Sequence, residues 1–292
     1  MGEAVLYKKS KLGVRCLACC HRCLIKEGGF GICGVRKNIG GKLFLLVYDY
    51  PCSINVDPIE KKPLYHFLPG TLTYSIGTVG CNFRCDWCQN YSISQASKPE
   101  FGRKIFGEKI TAEEIVENAL KTGCKSIAYT YNEPAIWSEY IKTIATLARK
   151  KGLCNVLVTN GYFTLQSLQY LKGFIDAVNV DLKSFSKKVY TSYCGAKIEN
   201  VLENIRWFHK NRVHLEITTL LIPGINDSNQ ELNKIASFIA SIDKDIPWHV
   251  SRYFPMYKFK EGKYPMTPLS TLRKAEEIGK KVGLKHIYMG NI

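Results

Sequence analysis

The sequence is short of acid. Its 292 residues carry 25 Asp and Glu against 41 Lys and Arg, a formal net charge of +16. A field of that sign attracts acidic partners, whether nucleic acid or an acidic protein. The lysines are scattered along the chain, which reads most simply as a solvated surface. No aromatic–basic repeat accompanies them, so no nucleic-acid-binding motif is present. A long apolar run is also missing. The longest stretch without Asp, Glu, Lys or Arg, residues 63–83, is broken by Pro69, Gly70, Gly77 and Gly80 and is not a membrane span. The first residues contain no apolar segment, so we expect no signal peptide, and Leu6 does not suit a myristoylation signal. Low-complexity segments and internal repeats are absent.

Cysteine is plentiful. Twelve cysteines without a secretory signal argue against a disulfide scaffold and for metal ligation in a reducing cytoplasm. Two groups stand out. Cys81, Cys85 and Cys88 fall within eight residues as C-x3-C-x2-C, and the next cysteine is Cys124. Structural zinc usually takes four ligands, and a cubane iron–sulfur cluster is usually held by four thiolates. Three thiolates on a cubane leave one iron without a protein ligand, which is what a reactive site needs. The second group is Cys16, Cys19, Cys23 and Cys33, with Cys20 and His21 inside it. Its turn-rich segment has little apolar periodicity, so a metal would supply missing folding free energy. Four thiolates suit zinc or a second iron–sulfur cluster.

From residue 71 onward, apolar strands alternate with amphipathic helices. Strands are expected over 71–78, 126–131, 155–159, 177–181, 214–222 and 248–254, several of them buried on both faces as in a parallel sheet. Helices are expected over 134–150 and 199–210. Thr111 with Glu114 and Ser228 with Glu231 form capping-box patterns, and Thr267-Pro268 reads as a cap followed by a first-turn proline. Six βα units imply a parallel barrel or a doubly wound sheet. Residues 41–70 read as short strands and turns, with a strand over 42–50. His66 reads as a hydrogen-bonded structural histidine or a ligand. Parallel barrels carry their sites at the C-terminal strand ends. The ends here hold Asn132-Glu133, Thr159-Asn160, Asp181-Leu182-Lys183 and Ser251-Arg252. Glu133 also reads as a helix N-terminal charge, and Asp181 with Lys183 as a surface ion pair.

Cys81, Cys85 and Cys88, with Trp87 before the last cysteine, resemble the cluster loop of radical S-adenosylmethionine (SAM) enzymes. Cys88-Gln89-Asn90 and Asp181-Leu182-Lys183 resemble more narrowly the pyruvate formate-lyase activating enzyme group. The segment ending Cys33-Gly34-Val35-Arg36 resembles the AmmeMemoRadiSam system radical SAM enzymes, although Cys20 replaces an expected proline. The chain also stops at Ile292, before the cysteine-containing tail of many members, so no ligand is expected from such a tail.

The resemblance implies an α/β fold, a partial parallel (β/α)6 barrel over 71–292 with a cysteine-rich, metal-binding N-terminal extension over 1–70. It implies a [4Fe-4S] cluster on Cys81, Cys85 and Cys88, and reductive cleavage of SAM to a 5′-deoxyadenosyl radical that abstracts hydrogen. Glu133 and Asn132 would accept the SAM ammonium. Thr159, Asn160, Asp181 and Lys183 would serve its ribose and carboxylate. Trp87 would sit near the adenine and Asn90 near bound SAM, with His249 and Arg252 as further candidates. The electron would come from an acidic donor such as a flavodoxin or ferredoxin. Two roles compete, activation of a glycyl-radical enzyme and radical modification of a small molecule, lipid or other polymer. A zinc-dependent nucleic-acid-binding protein and a pure electron carrier are the readings from other classes.

Overall fold

Short runs such as Ser126–Tyr129 and Ala177–Asp181 are buried along nearly their whole length, and they are inner strands of a parallel sheet. The computed structural model describes residues 1–259 and 262–292. Its N-terminal part holds six short strands, β1 (Gly2–Glu3), β2 (Tyr7–Ser10), β3 (Gly13–Cys16), β4 (Leu24–Ile25), β5 (Arg36–Ile39) and β6 (Lys42–Leu45). These form two antiparallel three-stranded sheets, in the orders β1-β6-β5 and β2-β3-β4. The main sheet follows, with β7 (Ser53–Pro58), β8 (Leu72–Gly77), β9 (Ser126–Tyr129), β10 (Cys154–Thr159), β11 (Ala177–Asp181), β12 (His214–Leu221), β13 (Trp248–Arg252) and β14 (Ile287–Gly290). Strands β8 to β14 are parallel and in sequence order, and β7 joins the β8 edge antiparallel. This is the mainly parallel sheet of a partial barrel. All six expected strands are present. The sequence reading missed β14 and the pairing of β7, one of the short strands of 41–70, with the main sheet, and the strand expected over 42–50 ends at Leu45.

The helices are α1 (Tyr91–Ser94), α2 (Ala112–Lys121), α3 (Ser138–Lys150), α4 (Leu165–Leu171), α5 (Lys187–Val189), α6 (Ile198–Lys210), α7 (Asn229–Ile242) and α8 (Leu269–Lys281). Thr111 caps α2 through the full capping box with Glu114. At α7 only half of the box forms. Ser228 accepts from the Glu231 amide, but the Glu231 carboxylate turns away to the Ser184 hydroxyl and the Phe185 amide. Thr267 does not cap α8, which starts after Pro268. Its hydroxyl instead donates to Leu221 O at 2.6 Å and accepts from the Tyr253 amide at 3.1 Å. The expected helix 134–150 opens as a 3-10 turn, Pro134–Trp137, before α3. No helix among the described residues is long and apolar enough to cross a membrane.

Two buried polar contacts fix how the sheet's surroundings close around it. Glu216 on β12 is fully buried and accepts the amides of Tyr65 and His66 at 3.0 and 2.8 Å, and His214 and His249 complete its shell. The Asn179 amide holds the Pro63 carbonyl at 2.7 Å. The segment between β7 and β8 is thereby drawn across the N-terminal end of the barrel, where Ile59, Leu64 and Phe67 pack on Ala128, Val156 and Ala177. On the other side Arg36 pairs with Glu139 of α3, both buried, and Glu139 also accepts the amides of Val5 and Leu6. These contacts join the N-terminal sheets to the barrel wall.

Candidate functional site

Strand β8 ends at Gly77, and the chain runs on through Gly80 into the first cysteine group. Gly80 sits at φ +97, and a Cβ there would lie 2.9 Å from Cys33 O and 2.8 Å from Val35 Cγ1. Only glycine lets the loop lie against the N-terminal extension at this point. Lys98 fastens the same junction, with its ammonium on the Ile32 and Cys81 carbonyls at 2.5 and 2.7 Å. Ser97 adds a hydrogen bond to Cys33 O at 2.7 Å, and His21 Nε2 meets Asn82 O at 2.9 Å.

Cys81, Cys85 and Cys88 all line one cavity of about 360 Å³. Trp87, Asn90, Asn132, Glu133, Thr159, Asn160, Asp181 and Lys183 line it too. The sheet explains the convergence, since each of these residues lies at or just beyond the C-terminal end of a parallel strand or in the cysteine loop. Arg252 is not brought there. Its Nε donates to Thr267 O at 2.7 Å and its guanidinium rests over Phe254, while the preceding Ser251 faces the cavity. His249 lies at the opposite end of β13, buried against Glu216 at 2.6 Å. His66, in the segment across that end, is bonded to the Tyr288 hydroxyl at 2.6 Å.

Glu133 is the most constrained side chain of the set. It is 1% exposed and accepts from Thr159 Oγ1 at 2.7 Å, from the Asn160 amide at 2.8 Å and from the Ala135 amide at 2.9 Å. Burial pushes its carboxyl up to about 7, against hydrogen bonds that favour the ionised form. The contact to Ala135 also caps the 3-10 turn, so the helix-start role and the cavity position coexist. Asn160 donates to Asn82 Oδ1 at 2.8 Å, tying β10 to the cysteine loop. Asn132 donates to Thr78 Oγ1 and Gly80 O at 2.9 and 3.0 Å, so its amide secures the loop rather than standing free. Asn90 donates to Tyr131 O at 2.8 Å. Lys183 pairs with Asp181 at 2.9 Å, and against the cost of burial Asp181 and the nearby Cys85 and Cys194 hold its pKa well above the ordinary value. Trp87 is packed on Phe259 and Tyr193, with ring centroids 5.6 and 5.9 Å away.

Sequence reasoning missed several lining residues, among them Lys61, Lys62, Ser94 and Thr218, whereas Tyr131 and Ser251 stand at strand ends it expected at the mouth. Lys62 and Tyr131 share the carboxylate of Asp57, each at 2.8 Å. Tyr131 adopts φ +68, a conformation rare for an aromatic residue, directly before Asn132 and Glu133. The bulge-like polar run after β9 signals the place; nothing local signals that the proline-bounded loop at 61–63 reaches the same cavity.

The cysteine loop fits an iron–sulfur cluster on three observations. The three thiols surround a common cavity. Burial raises the Cys81 and Cys88 pKa values, and the Cys194 thiol followed by burial raises that of Cys85, so a cation must compensate any thiolate there. Asn82 Nδ2, next in sequence to Cys81, is buried with no hydrogen-bond partner among the described residues, and an acceptor on a bound group would satisfy it. Among the described residues no three His, Cys, Asp or Glu side chains meet as ligands of a single metal ion. A cubane does not require that, since each thiolate binds its own iron. Zinc at the N-terminal group does require it. Cys16, Cys19 and Cys33 are buried and Cys23 is half-buried, and Cys19 is near enough to the other three for their charges to act on it. They do not converge on one point, and zinc there finds no support. Cys20 stands apart, its thiol bonded to Phe163 O at 2.8 Å.

A family profile described as the Radical SAM superfamily matches residues 75–239. An uncharacterized protein of Methanocaldococcus jannaschii is 40% identical over 294 residues, covering 100% of this chain and 86% of that protein. A pyruvate formate-lyase-activating enzyme of Clostridium pasteurianum is 22% identical over 56% of this chain and 67% of its own length. Among solved structures, a radical SAM methyltransferase from Sphaerobacter thermophilus superposes with a TM-score of 0.57 at 14% identity, over 77% of this chain and 68% of that one. That likeness speaks to the fold alone.

Proposed function

The chain belongs to the radical SAM superfamily, and from that premise we propose that Cys81, Cys85 and Cys88 hold a [4Fe-4S] cluster beside a SAM site built from the strand ends. The observation that carries this is the shared cavity of the three thiols, Glu133, Asn160 and Asp181. When bound, cluster and SAM supply an electron and a 5′-deoxyadenosyl radical for hydrogen abstraction. The protein's residues do the rest. Glu133, ionised, accepts the SAM ammonium, and Thr159 and the Asn160 amide hold its carboxylate in place. Asp181 and Lys183 offer one acceptor and one cation to the ribose hydroxyls and the methionyl carboxylate. Trp87 gives the adenine an apolar wall, and Asn90 braces the loop against the Tyr131 backbone. The part of the N-terminal extension around His21, Ile32 and Cys33 acts as a cover that excludes water from the cysteine loop, through its contacts with Asn82, Lys98 and Ser97.

For the substrate we propose a glycine of a partner enzyme, the activase role. The relative named as a pyruvate formate-lyase-activating enzyme supports it. A second reading, a small anionic molecule, is favoured by one feature. Lys61 and Lys62 line the cavity while sharing the single negative charge of Asp57, which leaves that trio net positive. The net charge of +16 supports an acidic electron donor such as a flavodoxin or ferredoxin.

The test is anaerobic reconstitution with iron and sulfide, then reductant and SAM, and an assay for 5′-deoxyadenosine. Product together with iron supports the reading; zinc in place of iron and no product overturns it. Host protein and host small-molecule fractions are then added separately. A glycyl-radical doublet in the protein fraction supports the activase role. Stimulation by the small-molecule fraction alone rejects it for the second reading.

A further inference from the structure

The three cysteines of the loop differ in what approaches each sulfur. Cys81 Sγ lies 3.3 Å from the Phe83 amide. Beside Cys85, the Arg84 amide donates at 3.0 Å to the carbonyl of Cys194, the last residue of a π-helical turn, Tyr190–Cys194. Cys88 Sγ lies 3.2 Å from the hydroxyl of Ser94, which is 2% exposed.

Which way the Ser94 proton points follows from its other neighbour. Gln95 Nε2 is 3.0 Å from Ser94 Oγ and 3.3 Å from Phe83 O. A carbonyl only accepts, so the atom facing Phe83 must be the amide nitrogen, and the Gln95 orientation is fixed. That nitrogen then donates to Ser94 Oγ as well. A hydroxyl has one proton and two lone pairs, and here one lone pair is taken by Gln95. The proton is left for the Cys88 sulfur.

We propose that Ser94 is a positioning residue for electron entry: its hydroxyl, oriented by Gln95, donates to the Cys88 sulfur and makes the cluster easier to reduce. Reduction adds negative charge to the cluster and its thiolates. A hydrogen bond to a ligand sulfur strengthens as that charge grows, so it stabilises the reduced form and raises the potential. The inference rests on the reading that the three cysteines hold the cluster.

The test is a potentiometric titration of the reconstituted protein, followed by electron paramagnetic resonance of the reduced cluster, with iron counted on each sample. At the wild-type midpoint, Ser94→Ala should lower the reduced-to-oxidised ratio about tenfold, the worth of one hydrogen bond to a charged group, which is 59 mV for a one-electron couple. Ser94→Thr keeps the hydroxyl and should titrate like wild type. Gln95→Met frees the hydroxyl to rotate and should shift the potential in the same direction by less. Ser94→Ala with full iron and an unchanged potential overturns the inference. If Ser94→Ala fails to load iron, Gln95→Met decides, and equality with wild type overturns it. No cluster signal in wild type overturns the proposed function itself, and this inference with it.

Discussion

The sharpest consequence of the Glu133 environment is a pH dependence of SAM binding. The bound ammonium needs a carboxylate, whereas burial favours the protonated acid and places the pKa of the free site at about 7. Such a group is roughly nine-tenths ionised at pH 8 and roughly one-tenth at pH 6. Affinity should therefore fall about tenfold between those two values, ~1.4 kcal/mol. Bound SAM lowers the Glu133 pKa, and the same linkage means that binding releases a proton at pH 6. The effect on folding alone has the opposite sign. A carboxyl raised from its unfolded value favours the fold while protonated, and that contribution is lost as pH rises from about 4.5 through about 7. Equilibrium dialysis of SAM against reconstituted protein, kept oxidised so that no turnover occurs, measures the affinity at both pH values. Glu133→Gln should bind weakly and with no pH slope. A flat profile in the wild type, or the same slope in Glu133→Gln, refutes the assignment.

Other outcomes follow from contacts already described. The combined variant Cys81→Ala, Cys85→Ala, Cys88→Ala should lose all cluster iron on reconstitution. Iron retained at about four per chain would instead assign a second cluster to Cys16, Cys19, Cys23 and Cys33. Gly80→Ala forces a Cβ to within 2.9 Å of Cys33 O at φ +97. We expect reduced iron loading with little change in circular dichroism, and full loading would contradict the packing argument. Arg36→Met strands the Glu139 carboxylate in the interior, which should cost about 3–5 kcal/mol in a denaturant titration. For Glu216, buried but bonded to two histidines and two amides, the pKa is lowered to about 2. Its contribution is present above about 4.5 and lost as pH falls toward about 2, so acid unfolding should begin at higher pH in Glu216→Gln. Identical acid transitions would remove Glu216 from the stability account.

Local features were readable where the chain itself holds the information. The C-x3-C-x2-C spacing, the capping box at Thr111 and the two-faced apolar strands all act over a few residues, and the superfamily and the parallel sheet followed from them. Features that depend on distant partners were not readable. Glu231 matches a capping box, but the Phe185 amide and Ser184 hydroxyl compete for its carboxylate from the loop after the neighbouring strand β11. Thr267 resembles a cap until Leu221 and Tyr253 claim its hydroxyl. Arg252 stands at a strand end, and the alternation of β13 turns Ser251 to the cavity in its place. Lys61 and Lys62 reach the cavity only because Glu216 and Asn179, far along the chain, hold the segment that carries them.

That last dependence has a temporal side. The hydrogen bonds from Tyr65 and His66 to Glu216 span 151 and 150 residues of sequence, so they close among the longest loops in the protein. Closing contacts of such separation costs more chain entropy than closing the local βα units. During synthesis the lysine-bearing segment leaves the ribosome long before β12 exists to receive it. The cysteine loop emerges soon after that segment, so its thiols are available to metal while one end of the cavity is still open. Cluster assembly can therefore precede closure of the barrel, and a chain cut short before Glu216 would carry the three thiols proposed to hold the cluster without a finished chamber around them.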